Sequence, residues 1–98
     1  MTNAVPPIRS EEEIRQWIIA KVAGRLRVEP SEIPLDESLA GIGLGSMKFV
    51  VIVGEMEEWL GCRFANNPLD HYPTVNALSQ YVHSQLQAGK TVIDSTKD

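Results

Sequence analysis

A loop with three glycines runs into an apolar segment at Gly41-Ile42-Gly43-Leu44-Gly45-Ser46-Met47-Lys48-Phe49-Val50. The glycines favour irregular backbone, and the apolar residues after them have the composition of a largely buried helix. The segment therefore predicts a loop-to-helix junction, with the hydroxyl of Ser46 at the start of the helix.

Ser46 has two interpretations at this position. A serine commonly caps a helix, because its short side chain accepts a hydrogen bond from an unpaired N–H group of the first turn. The same N–H groups and the positive end of the helix dipole also favour an anion such as a phosphate ester. For a serine taken alone the cap is the more common role, so the choice depends on the rest of the chain.

The helix that starts at this junction is predicted to run from Ser46 to Leu60 and to stop at Gly61, a suitable left-handed closing residue. Its core face has apolar residues at spacings of three and four, namely Phe49, Ile52, Val53, Met56, Trp59 and Leu60. Three further apolar residues, Met47, Val50 and Val51, lie outside this face. They form either a wider core face or a surface for a partner. We predict a docking surface at Leu44, Met47, Val50 and Val51.

The first predicted helix begins after Ser10, which forms a capping box with Glu13, and runs from Glu11 to about Arg25. The acidic residues at its start suit the positive end of the helix dipole. Its apolar face comprises Ile14, Trp17, Ile18, Val22 and Leu26.

The last third of the chain predicts a short helix from Asn67-Pro68 to about His71 and a last helix, capped by Thr74, to about Leu86. The inward stripe of the last helix comprises Val75, Leu78, Tyr81, Val82 and Leu86. The fold class is therefore all-α: a small four-helix bundle with three main helices and one short helix.

A long connection, residues 28–45, joins the first two main helices. Two prolines and three glycines prevent a continuous helix there, with a single helical turn expected at Ser31 and Glu32. Its apolar residues are Ile33, Leu35, Leu39, Ile42 and Leu44. Because these are too apolar for a loop in water, we expect the connection to pack across the helix ends.

The 98 residues suffice for one small domain, predicted at 10–86 between a flexible leader, 1–9, and a flexible tail, 87–98. The net charge of −4 and the pI near 5.1 argue against a nucleic-acid partner. Cys62 is the only cysteine and is expected to be a small buried hydrophobe; no metal site is predicted. The chain has neither a secretory signal nor a membrane-spanning run, so we expect a cytoplasmic monomer.

The order and spacing of several motifs resemble the acyl and peptidyl carrier proteins, the phosphopantetheine-attachment domains of fatty acid, polyketide and nonribosomal peptide biosynthesis. The resemblance covers roughly residues 14–86. It rests on Leu35-Asp36-Glu37-Ser38-Leu39, on Gly43-Leu44-Gly45-Ser46-Met47, on Glu55-Met56-Glu57-Glu58-Trp59-Leu60-Gly61 and on Tyr72-Pro73-Thr74-Val75-Asn76-Ala77-Leu78.

This resemblance implies that Ser46 carries 4′-phosphopantetheine, which a phosphopantetheinyl transferase takes from coenzyme A. The arm would hold an acyl or aminoacyl group as a thioester, exchanged with loading and transfer enzymes. The chain would then be a carrier and a substrate of partner enzymes, with no catalytic residues of its own. Its Tyr72-Pro73-Thr74-Val75 segment looks closer to polyketide and nonribosomal carriers than to the fatty-acid type.

Two residues depart from the family pattern. Gly45 stands where the family usually has Asp, and Lys48 makes the start of the second main helix less acidic than in fatty-acid carriers, whose partners usually offer basic patches. We therefore expect partners to dock through the apolar residues Met47, Val50 and Val51 more than through charge.

The alternative to a carrier is an unmodified interaction module with the same fold, in which Ser46 only caps the helix. An enzyme is not expected. The glycine loop lacks the preceding strand and the lysine of a nucleotide-binding loop, and Leu44 and Lys48 occupy the glycine positions of a hydrolase elbow.

Overall fold

The computed structural model describes residues 9–94 and consists mainly of helices. The main helices are α1 (Glu11–Leu26), α2 (Ser46–Leu60) and α3 (Val75–Gln87). Single 3₁₀ turns occupy Pro30–Glu32 and Pro68–Asp70, and two short strands occupy Arg63–Phe64 (β1) and Val92–Ile93 (β2). The predicted fold class and the long connection between the first two main helices are confirmed, and the predicted short helix is a 3₁₀ turn.

Helix α1 begins with the predicted capping box. The Ser10 hydroxyl accepts a hydrogen bond from the Glu13 N–H at 3.0 Å, and the Glu13 carboxylate accepts one from the Ser10 N–H at 2.8 Å. Both donors belong to the turn that an α-helix cannot pair internally, so the chain direction into α1 is fixed locally.

A single apolar core lies between the three helices and the connection. Its fully buried members come from these four parts and from β2: Ile14, Ile18, Val22, Leu39, Leu44, Phe49, Ile52, Met56, Val75, Leu78, Val82 and Ile93. Most of the predicted helix faces lie in this core, with the aromatic and terminal members at its edges. At one edge the rings of Trp17 and Trp59 stack with centroids 4.9 Å apart, which joins α1 to α2.

The long connection is held against α1 and α3 by hydrogen bonds. The Leu39 N–H donates to the Pro73 carbonyl at 2.9 Å, and the Asn76 N–H donates to the Leu35 carbonyl at 3.0 Å. The Asn76 side chain donates to the Asp36 carboxylate at 2.9 Å and accepts from Arg15 Nε at 2.8 Å. One amide side chain therefore joins α1, the connection and α3.

The C-terminal segment differs from the flexible tail predicted for residues 87–98. β2 pairs in parallel with β1, Ile93 is fully buried, and the Tyr81 hydroxyl donates to the Asp94 carbonyl at 2.8 Å. A strand of two residues is too short for any periodicity to reveal. Residues 95–98 of the predicted tail and residues 1–8 of the predicted leader lie outside the described residues.

Replacing Asn76 by Ala should lower the free energy of unfolding by about 1–3 kcal/mol, because both side-chain hydrogen bonds of Asn76 are lost and Arg15 loses a partly buried acceptor. Urea unfolding followed by circular dichroism measures the change. Gln80→Ala, an exposed site on the same helix, is the control and should change it by less than about 0.5 kcal/mol. Equal effects of the two substitutions would contradict the proposed role of Asn76.

Candidate functional site

Ser46 is the first residue of α2, and Gly45 is the N-cap residue that precedes it. Gly45 has φ −70° and ψ 163°, the extended conformation that is usual at this position. The N-cap position, from which a side chain could cap α2, is therefore occupied by a glycine, which has no side chain. Ser46 lies one residue inside the helix, which weakens the interpretation of Ser46 as an N-cap.

The start of α2 differs from the starts of the other two α-helices. Ser10 caps α1, and the Thr74 hydroxyl caps α3 by accepting from the Ala77 N–H at 3.1 Å. Helix α2 has no side-chain cap and no acidic residue in its first turn. No anionic side chain of that turn therefore binds its first N–H groups or offsets the positive end of its dipole. Both features would favour a phosphate ester on Ser46.

Two buried side chains hold this junction in place. Leu44 and Phe49 are both fully buried, on either side of Gly45 and Ser46. The Leu44 N–H donates to the Leu39 carbonyl, and the Phe49 N–H donates to the Gly45 carbonyl, each at 3.0 Å. Gly43 has φ +107°, a backbone conformation that favours glycine.

The burial of Leu44 corrects one predicted docking residue. Leu44 is 0% exposed, so a partner cannot contact its side chain in this structure. Its neighbours in sequence are glycines, and the turn at Gly43 leads Leu44 into the core. The sequence contains no periodic pattern in this loop from which that orientation could be predicted.

The other three predicted docking residues lie on the surface. Met47 is 81% exposed, Val50 59% and Val51 45%. We call these three residues the apolar strip. Their exposure excludes the alternative of a wider core face, since α2 buries Phe49, Ile52 and Met56 instead. That partners bind the apolar strip stays a prediction.

Two of the three glutamates near the end of α2 have partners within the chain. Glu55 lies between Lys21 and Arg25 of α1, at 3.7 Å and 3.9 Å. Glu57 accepts a hydrogen bond from the Phe64 N–H at 2.8 Å, and Glu58 is exposed. These contacts could not be predicted from the sequence, although the spacing of Lys21 and Arg25 places both on one face of α1.

Cys62 is buried, as predicted, and is a poor nucleophile. Burial raises the pKa of its thiol to about 11, and the nearby charge of Glu57 adds to this effect. At neutral pH the side chain is a protonated thiol, which reacts slowly compared with a thiolate.

Comparisons with known proteins identify the family. The family model described as "Phosphopantetheine attachment site" matches residues 16–82. The chain is 35% identical over 75 residues to a phenolphthiocerol/phthiocerol polyketide synthase polypeptide of Mycobacterium tuberculosis, covering 76% of this chain and 4% of that protein. It is 28% identical to the acyl carrier protein TtuC of Teredinibacter turnerae, covering 82% of this chain and 92% of that protein.

Solved structures agree with this assignment. A free-standing peptidyl carrier protein of Acinetobacter baumannii is 32% identical, with a TM-score of 0.75, over 80% of this chain and 98% of that one. An acyl carrier protein of Anabaena with a variant phosphopantetheinylation-site sequence is also 32% identical, with a TM-score of 0.72, over 86% of this chain and 94% of that one.

The chain belongs to the phosphopantetheine-attachment family, that of the acyl and peptidyl carrier proteins. Domains of this family carry 4′-phosphopantetheine covalently, and those of polyketide synthase pathways work with transferases and synthase enzymes. The chain spans only a small part of the polyketide synthase polypeptides that it matches. Within residues 9–94, no helix is both long and apolar enough to cross a membrane.

Replacing Gly45 by Asp should stabilise the unmodified protein. The backbone angle suits any residue, nothing lies within 4 Å of an added Cβ, and an N-cap carboxylate can accept from first-turn N–H groups. Compared with Gly45→Ala, which adds a Cβ without a carboxylate, Gly45→Asp should raise the free energy of unfolding by about 1 kcal/mol. Urea unfolding of the unmodified proteins measures the difference. An Asp variant that is no more stable than the Ala variant would contradict the assignment of Gly45 as the N-cap residue of α2.

Proposed function

We propose that this chain is an acyl carrier protein whose Ser46 carries 4′-phosphopantetheine and which transfers acyl or aminoacyl groups between biosynthetic enzymes. The supporting observation is the position of Ser46 at the start of the one α-helix, among the three of residues 9–94, that lacks a side-chain cap. This position falls within the part of the chain that matches the family.

The modification is a substitution at phosphorus carried out by a separate transferase. The Ser46 hydroxyl oxygen forms a bond to the phosphorus that bears pantetheine in coenzyme A, adenosine 3′,5′-bisphosphate leaves, and the hydroxyl proton passes to a base of the transferase. The bound arm supplies a thiol, which holds the transported group as a thioester. Under this proposal the chain is a substrate of its partners and not a catalyst.

The residues around Ser46 would hold and present the modified side chain. Leu44 and Phe49, both buried, fix the junction in the core, so that the start of α2 keeps its position during transfer. The first N–H groups of α2 would face the phosphate, whose negative charge the helix dipole favours. Gly45 adds no side chain beside the phosphate, and an added Cβ there would meet nothing within 4 Å.

The names of the relatives favour a polyketide or peptide pathway over fatty acid synthesis. The Mycobacterium relative is part of a polyketide synthase, and the Acinetobacter structure is a peptidyl carrier protein. This agrees with the predicted leaning of the Tyr72-Pro73-Thr74-Val75 segment. The partners in such a pathway would be a phosphopantetheinyl transferase and the enzymes that load and unload the thioester; a cytoplasmic location stays the expectation.

The second candidate is an unmodified interaction module with the carrier fold. Gly45 favours it, because the usual Asp beside the attachment serine is missing. Against it stands the Anabaena structure, described as an acyl carrier protein with a variant phosphopantetheinylation-site sequence. That protein is described as a carrier although its site sequence departs from the usual one. The carrier function is therefore the better supported proposal.

Incubation with coenzyme A and a broad-specificity phosphopantetheinyl transferase should add one phosphopantetheine group to the wild type and none to Ser46→Ala. Intact-protein mass spectrometry measures the gain. The reason is that Ser46 supplies the hydroxyl that bonds to phosphorus, and Ala has none. An established carrier protein, modified in the same tube, is the positive control.

Absence of a mass gain in the folded wild type, while the control carrier is modified, would favour the interaction module. The same assay on Gly45→Asp then separates two causes. A gain in this variant alone would assign the failure to recognition of Gly45, whereas no gain in either protein would contradict the carrier function.

Replacing Val50 by Asp should lower kcat/KM for the transferase by about tenfold, since a charge would be placed in the apolar centre of the docking surface. Val50 is 59% exposed, so the variant should fold. The matched control is Glu58→Lys, the exposed glutamate in the last turn of α2, which should change kcat/KM by less than about threefold because it lies away from Ser46. Glu55 and Glu57 are unsuitable controls because both have partners within the chain. The opposite ranking would contradict docking through the apolar strip.

A further inference from the structure

One edge of the exposed face of α2 carries positive charge, although the chain as a whole has a net charge of −4. Lys48 and Glu55 are seven residues apart and therefore lie on the same side of the helix, about 10 Å apart along its axis. Lys48 is exposed, and among the described residues no carboxylate forms an ion pair with it. Its charge is therefore available at the start of α2, beside the apolar strip.

The carboxylate on this edge does not make the edge acidic. Glu55 lies 3.7 Å from Lys21 and 3.9 Å from Arg25, beyond hydrogen-bond distance, and all three side chains are about 40% exposed. Two cations thus share one carboxylate, which leaves this group with one net positive charge. With Lys48, the edge holds two net positive charges along about 10 Å of helix.

The remaining carboxylates of α2 lie elsewhere. Glu57 is nine residues from Lys48, on the opposite side of the helix, and accepts the hydrogen bond from Phe64. Glu58 is exposed in the last turn, away from Ser46. The first turn has no acidic residue, and the helix dipole adds positive potential there. An enzyme that reaches Ser46 therefore meets an apolar strip with a positively charged edge.

We propose that a transferase that modifies this chain efficiently docks with an apolar surface bordered by carboxylates, placed opposite Lys48 and the Lys21–Arg25 pair. This rests on the proposed function, because only an enzyme acting on Ser46 must cover the first turns of α2. The apolar strip alone would accept several orientations of a partner. The charged edge on one side of it favours a single orientation and repels a basic docking surface.

The test compares two lysine substitutions that change the net charge equally. Lys48→Glu replaces the positive charge at the start of α2 by a negative one. Lys90→Glu is the matched control, because Lys90 is exposed in the segment between α3 and β2, outside α2. Lys48→Glu should fold, since Glu is favourable in the first turn of a helix; circular dichroism checks this. The measured quantity is kcat/KM of a broad-specificity transferase with coenzyme A.

Lys48→Glu should lower kcat/KM by about tenfold, Lys48→Gln by about threefold and Lys90→Glu by less than about twofold, because the interaction depends on the local charge and not on the net charge. Raising the ionic strength from about 0.01 M to about 0.15 M shortens the Debye length from about 30 Å to about 8 Å. The same change should lower kcat/KM of the wild type and leave that of Lys48→Glu nearly constant.

Several results would overturn the proposal. One is a kcat/KM for Lys48→Glu that equals or exceeds that for Lys90→Glu. Another is a wild-type kcat/KM that rises with salt, which would indicate a basic transferase surface. A dimer of the unmodified wild type that dissociates in Lys48→Glu, measured by analytical ultracentrifugation, would assign the edge to a second copy of the chain. Each differs from failure of the proposed function, in which the wild type gains no phosphopantetheine at all.

Discussion

The burial of Leu44 and Phe49 on either side of Gly45-Ser46 is the constraint on which the site depends. Both side chains are removed from water completely, and each contributes on the order of 2 kcal/mol to the hydrophobic driving force. A loop residue and a helix residue thus hold the same junction from two directions. The backbone at Ser46 cannot move far without exposing one of them, so the position of Ser46 is fixed by the core of the domain.

The connection before this junction needs its own support, because it has no regular hydrogen-bond ladder. The bonds from Leu39 to Pro73 and from Asn76 to Leu35 and Asp36 supply it. Two of the motifs that carry the family resemblance, Leu35-Asp36-Glu37-Ser38-Leu39 and Tyr72-Pro73-Thr74-Val75-Asn76-Ala77-Leu78, are therefore in direct contact. Their shared occurrence has a physical reason, since each provides hydrogen-bond partners for the other.

Elements with local signals could be predicted from the sequence, and contacts between distant segments could not. The capping box of Ser10 and Glu13, the closing residue Gly61 and the helical spacing of the apolar residues placed the main helices within a residue or so. Spacing alone left the apolar strip as either a docking surface or a wider core face, and the choice between them depends on how α2 packs in the structure. Leu44 and Ile93 lie in segments without periodicity, so their burial depends on tertiary packing alone. The pairing of Glu55 with Lys21 and Arg25 likewise required the relative position of α1 and α2.

The start of α2 combines two features that an isolated helix would avoid. It has no side-chain cap, and its only first-turn charge is the positive Lys48, which the dipole disfavours. Helices α1 and α3 begin with side-chain caps, so this chain does contain the usual solution elsewhere. A phosphate on Ser46 would reverse both features, because it offers acceptors to the first N–H groups and a negative charge to Lys48 and the dipole. The unmodified domain therefore leaves at Ser46 an electrostatic arrangement that an attached anion would complete, and modification of Ser46 would then stabilise the start of α2.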